Sequence, residues 1–422
     1  MSKNAIINVY CFEQEIGKLG YDENLGKSFF QYNPIFLASD NYKNLFPLLI
    51  KRVENVQVFS DYNNETFRNL PPMIADSLPD MFGNLIFKTW LESNQKEFQK
   101  ITPLEQLAYV ANRGMGALEY KPSIEIPKNT SINIDEITVV LKKVLENKYE
   151  TSASQLDNAS LLNIFKIGSS AGGIRPKILI SEHKITKEII PGDIEYSDSY
   201  IHYLVKLCLD DQENKYNREK VEYSYYLTAK EIGISFMPSK LIDDKHFATE
   251  RFDRQNGRKK HILTACGMTG WDFTKPDNSS YEKLFVLAIY LKLNAKELNE
   301  LYKRMVFNLV FCNYDDHLKN HSFSYNETLD NWSLSPAYDV TYSLNPLLNF
   351  TRKSRVLSIN NKRINIQLED ILAVADEFTI KNPKGIIELV QNTIPFWEEK
   401  AKSIGIPLLV IQKIKEDFKL FL

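Results

Sequence analysis

The sequence predicts an α+β chain made of a mixed N-terminal subdomain, a strand-rich lobe and an all-helical lobe. Three observations carry that reading. Its 422 residues exceed what one ordinary core organises, so about two or three domains are expected. Strands and helices mix up to about residue 125, strands, turns and a hairpin mark about 160 to 255, and from about residue 280 onward helices dominate. The polar stretch KPSIEIPKNTS (121–131) reads as a linker. These shifts place the subdomain at 1–125, the strand-rich lobe at 126–255 and the helical lobe at 256–422.

Within the subdomain, AIINVYCF, EIGKLGYD and SFFQYN read as strands of an antiparallel meander. Helices follow at DMFGNLIFKTWLES (80–93) and TPLEQLAYVANRG (102–114). The second has Thr102 as cap, Pro103 at the first helical position, Glu105 at the third and Gly114 as its stop. NIDEITVVLKKVLENKYE (133–150) reads as a bridging helix. From about 160 to 255 the order is strand, Gly-rich turn, strand, hairpin, strand and helix, the helix spanning 217–234 and ending near Gly233. In the last region NAKELNELYKRMVFNLVFCN (294–313) opens on a capping box, Asn294 with Glu297. NPKGIIELVQNTIPFWEEKAKSIG and PLLVIQKIKEDFKLFL close the chain as helices, and no internal repeat is present.

Bulk properties exclude several classes. With 52 Lys and Arg against 54 Asp and Glu the formal charge is −2, so no global field attracts nucleic acid or acidic membrane. Cys11, Cys208, Cys266 and Cys312 are scattered and suit small buried hydrophobes, and the six dispersed histidines make a zinc site improbable. No apolar run approaches the roughly 20 residues a membrane helix needs. The opening MSKNAIINVYCFEQEIG lacks the apolar core of a signal peptide, so a soluble, cytoplasmic protein is expected.

The chemistry concentrates in NYDDHLKN (313–320). Asp315 and Asn320 stand five residues apart, and a Tyr338-Asp339 pair follows. Asp, Asn, then Asp is the order in which protein kinases place a catalytic base and two magnesium ligands. HSFSYNE and NWSLSPAYDV read as a hairpin that returns the chain toward Asp339. Upstream, Lys206 lies in an apolar strand, where a lone lysine is costly unless paired. Glu222 on the following helix is its natural partner, as in the strand Lys and helix Glu that position ATP in kinases. The turn in GSSAGGIRPKILI (168–180) offers backbone N–H groups and Lys177 to phosphates, and suits a plain hairpin equally well. Thr249-Glu250-Arg251-Phe252 falls where a kinase hinge reads adenine, although Phe252 fits a core and Arg251 fits a salt bridge to Asp253.

Together these pieces resemble the HipA family of bacterial toxin kinases. The marks are Ser-Ser-Ala-Gly-Gly-x-x-Pro-Lys (169–177), ERFDR, N-x-DDH-x-KN-x-SF and W-x-LSPAYD. LPDMFGNLIF and LAYVANRGMGALEY are similar to the family's N-terminal domain, and LSINNKRINIQLEDILAVA (357–375) to its helical lobe. The resemblance implies a two-lobed, protein-kinase-like fold and a serine/threonine protein kinase using ATP and Mg²⁺, the toxin of a toxin–antitoxin pair. Asp315 would be the catalytic base, with His317 beside it in the loop, and Asn320 and Asp339 would bind Mg²⁺. Lys206, partnered by Glu222, would contact ATP phosphates, and His317 and Lys319 would face the nucleotide. Gly172, Gly173, Ile174, Arg175, Pro176 and Lys177 would form the phosphate loop, and Glu250, Arg251 and Phe252 would line the adenine site. Inhibitory autophosphorylation would map to Ser170, with Ser169 adjacent. The substrate would be an aminoacyl-tRNA synthetase, and the partner a small helix-turn-helix antitoxin through which operator DNA is mainly contacted. Unlike ordinary protein kinases, Asp339 is followed by Val340 rather than Phe-Gly, and no A-P-E segment follows.

Two other readings share these residues. A small-molecule kinase has the same catalytic elements, and a repressor-assembly scaffold would carry the site as a vestige. Retention of Lys206, Glu222, Asp315, Asn320 and Asp339 together argues against decay.

Overall fold

A computed structural model describes residues 6–79, 81–93, 96–124, 133–146, 175–192, 197–209, 216–348 and 354–421. Strands β1 (Ile6–Cys11), β2 (Gln14–Asp22), β3 (Lys27–Tyr32), β4 (Gln57–Phe59) and β5 (Leu118–Lys121) form one antiparallel sheet, ordered β4-β3-β2-β1-β5. Period-two alternation buries Ile7, Val9 and Cys11 on one face, as the meander reading expects. The subdomain's helices are α1 (Pro34–Ala38), α2 (Pro72–Ala75), α3 (Met81–Ser93) and α4 (Pro103–Val110), and α5 (Ile134–Glu146) follows. The Thr102–Glu105 capping box opens α4 as expected. Its end differs: the helix stops at Val110 rather than Gly114. Ala111 turns into left-handed backbone (φ 51°) and its carbonyl accepts the Tyr120 N–H of β5, so the sheet ends the helix.

A second antiparallel sheet, ordered β7-β6-β8-β10-β9, contains β6 (Lys177–His183), β7 (Ile189–Pro191), β8 (Tyr200–Lys206), β9 (Ser239–Ile242) and β10 (His246–Glu250). Helix α6 (Arg218–Glu231) runs from this sheet into the remaining lobe, where Tyr225 donates to the Phe311 carbonyl (2.6 Å) and Trp397 donates to Ser224 Oγ (3.0 Å). After the short hairpin β11 (Arg254–Gln255) and β12 (Arg258–Lys259), the chain becomes largely helical. It begins with β13 (Ile262–Thr264), α7 (Ala265–Thr269), α8 (Tyr281–Tyr290) and α9 (Ala295–Val310). It continues with β14 (Ser322–Asn326), β15 (Asn331–Leu334), α10 (Leu368–Glu377), α11 (Pro383–Gln391), α12 (Ile394–Ser403) and α13 (Leu408–Asp417). The helical array carries one small sheet, β13-β14-β15, whose β14–β15 turn is the expected hairpin between Asn320 and Asp339.

Burial joins these parts. One apolar core runs from Ile7, Val9 and Phe30 of the first sheet to Tyr302, Phe307 and Trp397 of the helical lobe. A second lies between α3, α5 and the second sheet, through Phe87, Leu141, Ile178 and Val205. All four cysteines are buried. The segment after β10 is anchored to the subdomain by charge: Asp253 pairs with Arg251 and Arg254, and Arg254 also donates to the Gly114 and Gly116 carbonyls (2.8 and 2.9 Å). Burial alone would raise the Asp253 carboxyl, but the two guanidiniums hold it well below the usual carboxylate range.

Two buried imidazoles make the fold sensitive to acid. His261 lies among Phe46, Tyr325 and Trp332, and burial pushes it down to about 3. His321, against Tyr281, is likewise pushed down to about 3, by burial first and then by Arg304. Each binds its proton in the unfolded chain near pH 6.5 but not in the folded one, so stability is full above that pH and falls below it. At pH 5 the loss should be roughly 2 kcal/mol per imidazole. Melting temperature measured from pH 7.5 to 5 should fall accordingly, and His261→Leu should flatten the slope.

Candidate active site

The site begins on β8. Lys206 ends that strand with Lys177 of β6 directly opposite, so both side chains stand on one sheet face. Two lysines so placed need anions between them. The next helix supplies one, because buried Glu222 of α6 puts Oε1 2.5 Å from Lys206 Nζ. The other is Asp339, whose Oδ1 also contacts Lys206 Nζ. The lysine joins β8, α6 and the segment after β15 at one point, as a lone lysine in an apolar strand requires. Burial would depress its pKa, but the two carboxylates outweigh that and raise it. Burial by itself would raise Asp339, yet Lys206, Lys177 and Arg175 hold it far below the carboxylate range, so it is ionised at any physiological pH. Asp339 takes left-handed backbone (φ 54°), a conformation that Asp tolerates better than most residues and that clusters at functional sites.

Facing this cluster is the loop after α9. The chain leaves the helix through Cys312 (φ 56°) and closes a single 3₁₀ turn at Leu318–Asn320. The Asp315 carbonyl organises it, accepting from the His317 N–H (2.9 Å) and from Asn320 Nδ2 (2.9 Å). With its nitrogen so used, Asn320 has Oδ1 left as an oxygen donor. The Tyr338 hydroxyl donates to the Lys319 carbonyl (2.8 Å), and Asn313 Nδ2 to the Asp339 carbonyl (3.4 Å), which fixes the Asp339 segment to the loop. Asp315 is solvent-exposed, while its neighbour Asp316 is buried. Protein crowding around the Asp315 carboxyl pushes its pKa up, as does Asp339, whereas His317, Arg175 and Lys206 pull it down. The His317 ring lies 4.9 Å from that of Phe273; burial lowers its pKa, and Asp315 and Asp339 oppose the shift. Its Nδ1 has no hydrogen-bond partner among the described residues. Lys319 holds its ammonium 5.3 Å over the Phe273 ring.

Sequence reasoning missed what supports the loop. Arg355 pairs with Asp316 and donates to the Asn313 and Asn308 carbonyls (3.1 and 3.2 Å). Tyr281 donates to Asp316 Oδ2 (2.6 Å), and Asn308 Nδ2 donates to Tyr281 (3.0 Å). The doubled aspartate was the available signal: Asp315 faces the cleft while Asp316 ties the loop to the core.

The residues expected to line an adenine site divide. Phe252 turns toward the site, its ring 5.8 Å from Tyr338. The Arg251 guanidinium is committed to buried Asp253, so this side chain belongs to the anchor on the subdomain, while the Arg251 backbone N–H donates to the His202 carbonyl (2.8 Å). Glu250 ends β10 with its N–H on the Pro238 carbonyl (2.9 Å). Arg175 and Pro176 lie just before β6 and are part-buried. Ser169, Ser170, Gly172, Gly173 and Ile174 lie outside the described residues.

The donor set fits Mg²⁺ and a polyphosphate. The Asp339 carboxylate and Asn320 Oδ1 are hard oxygen ligands, and Lys206, Lys177 and Arg175 gather positive charge around them. A separate cluster, Asp135, Asp243 and His246, has ligand-like spacing. There the Cys208 N–H donates to His246 Nδ1 (3.0 Å), so in the neutral ring Nε2 carries the proton and offers no lone pair.

A strand-rich N-terminal region, a largely helical C-terminal region and a cleft built between them define a protein-kinase-like fold. Residues 169–397 match the HipA-like C-terminal domain and residues 7–121 the HipA N-terminal domain. The chain therefore belongs to the HipA-like toxin family of type II toxin–antitoxin systems. Among solved structures, the Shewanella oneidensis MR-1 toxin HipA, in complex with HipB and its operator DNA, is similar. Its TM-score is 0.62 at 16% identity, with 97% of each chain covered. The Helicobacter pylori proinflammatory kinase CtkA aligns with TM-score 0.39 and 12% identity, covering 58% of this chain and 87% of that one. No curated protein sequence matches the chain. Family membership supports a kinase and toxin role.

Proposed function

We propose that this chain is an ATP- and Mg²⁺-dependent serine/threonine protein kinase, the toxin of a toxin–antitoxin pair. The observation that carries the reading is Lys206 held between Glu222 and Asp339, opposite a loop that presents Asp315 and Asn320. Bound Mg·ATP supplies the phosphoryl group and offsets charge on it. Asp315 orients the attacking hydroxyl and accepts its proton, Asn320 and Asp339 hold the metal, and Lys206 holds phosphate oxygens. Glu222 fixes the direction in which Lys206 points. Arg175 and Lys177, the latter at the head of β6, would meet the phosphates, and the resemblance assigns Gly172, Gly173, Ile174 and Pro176 to the phosphate loop. His317 and Lys319 face the nucleotide, and the backbone of Glu250 to Phe252 flanks the base.

The family resemblance further suggests an aminoacyl-tRNA synthetase as substrate and the cytoplasm as compartment. Among the described residues no helix is long and apolar enough to cross a membrane. A helix-turn-helix antitoxin is the proposed partner, by analogy with the HipB of the Shewanella complex. Such an antitoxin would carry the operator DNA contact, in keeping with a net charge of −2. Autophosphorylation at Ser170 would add about −1.5 to −2 charge to a loop meant for ATP phosphates and so repel nucleotide.

Incubating purified protein with Mg·ATP, beside an Asp315→Asn control, tests the reading by intact-mass and peptide mass spectrometry. A phosphate on Ser170 or Ser169 in the wild type alone is expected. An initially unmodified wild type that gains no phosphate and binds no Mg·ATP would overturn the kinase reading.

A further inference from the structure

We infer that the N-terminal subdomain is a working part of the active site, holding the catalytic loop from behind through two positioning residues, Asp76 and Thr66. The inference rests on the kinase reading above and adds two residues that touch neither substrate nor metal.

Asp76 follows α2, and a carboxylate at a helix C-terminus gains nothing from the helix dipole. Its bonds lie in the other lobe. Oδ2 accepts the Thr264 N–H and Oδ1 the Thr264 hydroxyl, both at 2.8 Å. Thr264 Oγ1 in turn accepts from the Gly267 N–H (3.0 Å), capping α7. From there the connection to the loop is direct. Thr264 pairs with Ser322, and the Ala265 N–H donates to the His321 carbonyl (2.7 Å), the residue after Asn320. Gly267 allows the approach, since a Cβ there would meet Asp76 Cγ at 2.4 Å. Charge follows the same route: burial pushes the Asp76 carboxyl up, and the ammonium of Lys319, inside the loop, pulls it back.

Thr66 makes the second grip. Its hydroxyl donates to Asp272 Oδ1 (3.1 Å), which also accepts the Thr274 N–H (3.0 Å) and hydroxyl (2.8 Å). These bonds bracket Phe273, the ring that backs both His317 and Lys319. The 262–274 segment is thus a plate, gripped by the subdomain on one side and bonded to the loop on the other.

The test compares wild type with Asp76→Ala, Asp76→Asn and Thr66→Val, using Asn44→Ala as a control. The Asn44 side-chain amide donates to the Asp330 carbonyl (2.9 Å) and carboxylate (3.2 Å) across the same domain boundary, at the β14–β15 turn. Because small misplacements of reacting groups are costly, Asp76→Ala should lower kcat by about tenfold or more, with Mg·ATP affinity within about twofold. Asp76→Asn and Thr66→Val should lie between it and wild type, and Asn44→Ala should match wild type. Amide hydrogen exchange over 315–323 should accelerate in the same order, while exchange over 177–206 stays constant. The inference falls if kcat and exchange over 315–323 do not change in the Asp76 and Thr66 variants. It also falls if Asn44→Ala does equal damage, since the effect would then be general loosening. If Asp76→Ala fails to fold, Asp76→Asn and Thr66→Val decide. A wild type that transfers no phosphate and binds no Mg·ATP would sink the kinase reading alone, and hydrogen exchange would still decide whether the subdomain holds the loop.

Discussion

Asp315→Asn should lower phosphoryl transfer by about two orders of magnitude or more and leave Mg·ATP affinity within about threefold of wild type. The asymmetry follows from where the two aspartates of the loop point. Asp315 is solvent-exposed, and the loop is shaped by its carbonyl, which asparagine retains. Asparagine at this position keeps size and polarity but cannot take a proton from an incoming hydroxyl. In the proposed mechanism binding depends on Lys206, Asn320 and Asp339, which the substitution does not touch. Asp316→Asn is the contrasting control. It leaves Arg355 buried without its carboxylate and should show first as lost stability, since breaking a buried pair costs about 3–5 kcal/mol. Nucleotide titration and single-turnover transfer separate the two. If Asp315→Asn turned over at the wild-type rate, Asp315 would not be the base.

What could be read from sequence and what could not divides along the range of the interaction. Thr102 with Glu105 and Asn294 with Glu297 are contacts three residues apart, and both capping boxes formed where expected. Lys206 could be matched to Glu222 because a cation in an apolar strand demands an anion and the next helix offered one. The hairpin between Asn320 and Asp339 was visible for the same reason, as alternation bracketing a turn. The failures are long-range. The α4 helix ends before Gly114 because Tyr120, on a strand that periodicity within the helix cannot show, takes the Ala111 carbonyl. Arg355 lies 39 residues from Asp316, and Asp76 lies 188 from Thr264. No local pattern announces either partner. Arg251 illustrates a third case. Both a hinge and a salt bridge fit its neighbourhood, and only burial beside Asp253 commits its side chain to the anchor.

Asp339→Asn should weaken Mg²⁺-dependent nucleotide binding by about tenfold or more while leaving the fold intact, since it removes a charged oxygen ligand but no packing volume. Lys206 then keeps Glu222 as its anion, so no buried charge is stranded. Lys206→Met is the harsher change: it strips buried Glu222 of the cation it pairs with, which should cost about 3–5 kcal/mol as well as nucleotide affinity. The pair of variants therefore distinguishes a metal ligand from a structural ion pair. If Asp339 served only to neutralise Lys206, its replacement would lower melting temperature and spare binding at saturating Mg²⁺. If it holds metal, affinity falls steeply with Mg²⁺ present and little without it. The pH dependence adds a check. Lys206, Lys177 and Arg175 keep Asp339 far below the carboxylate range, so its contribution to binding should stay flat from pH 8 to about 5, where an ordinary carboxylate begins to protonate. A loss of Mg²⁺-dependent affinity already at about pH 6.5 would assign the titration to a group other than Asp339.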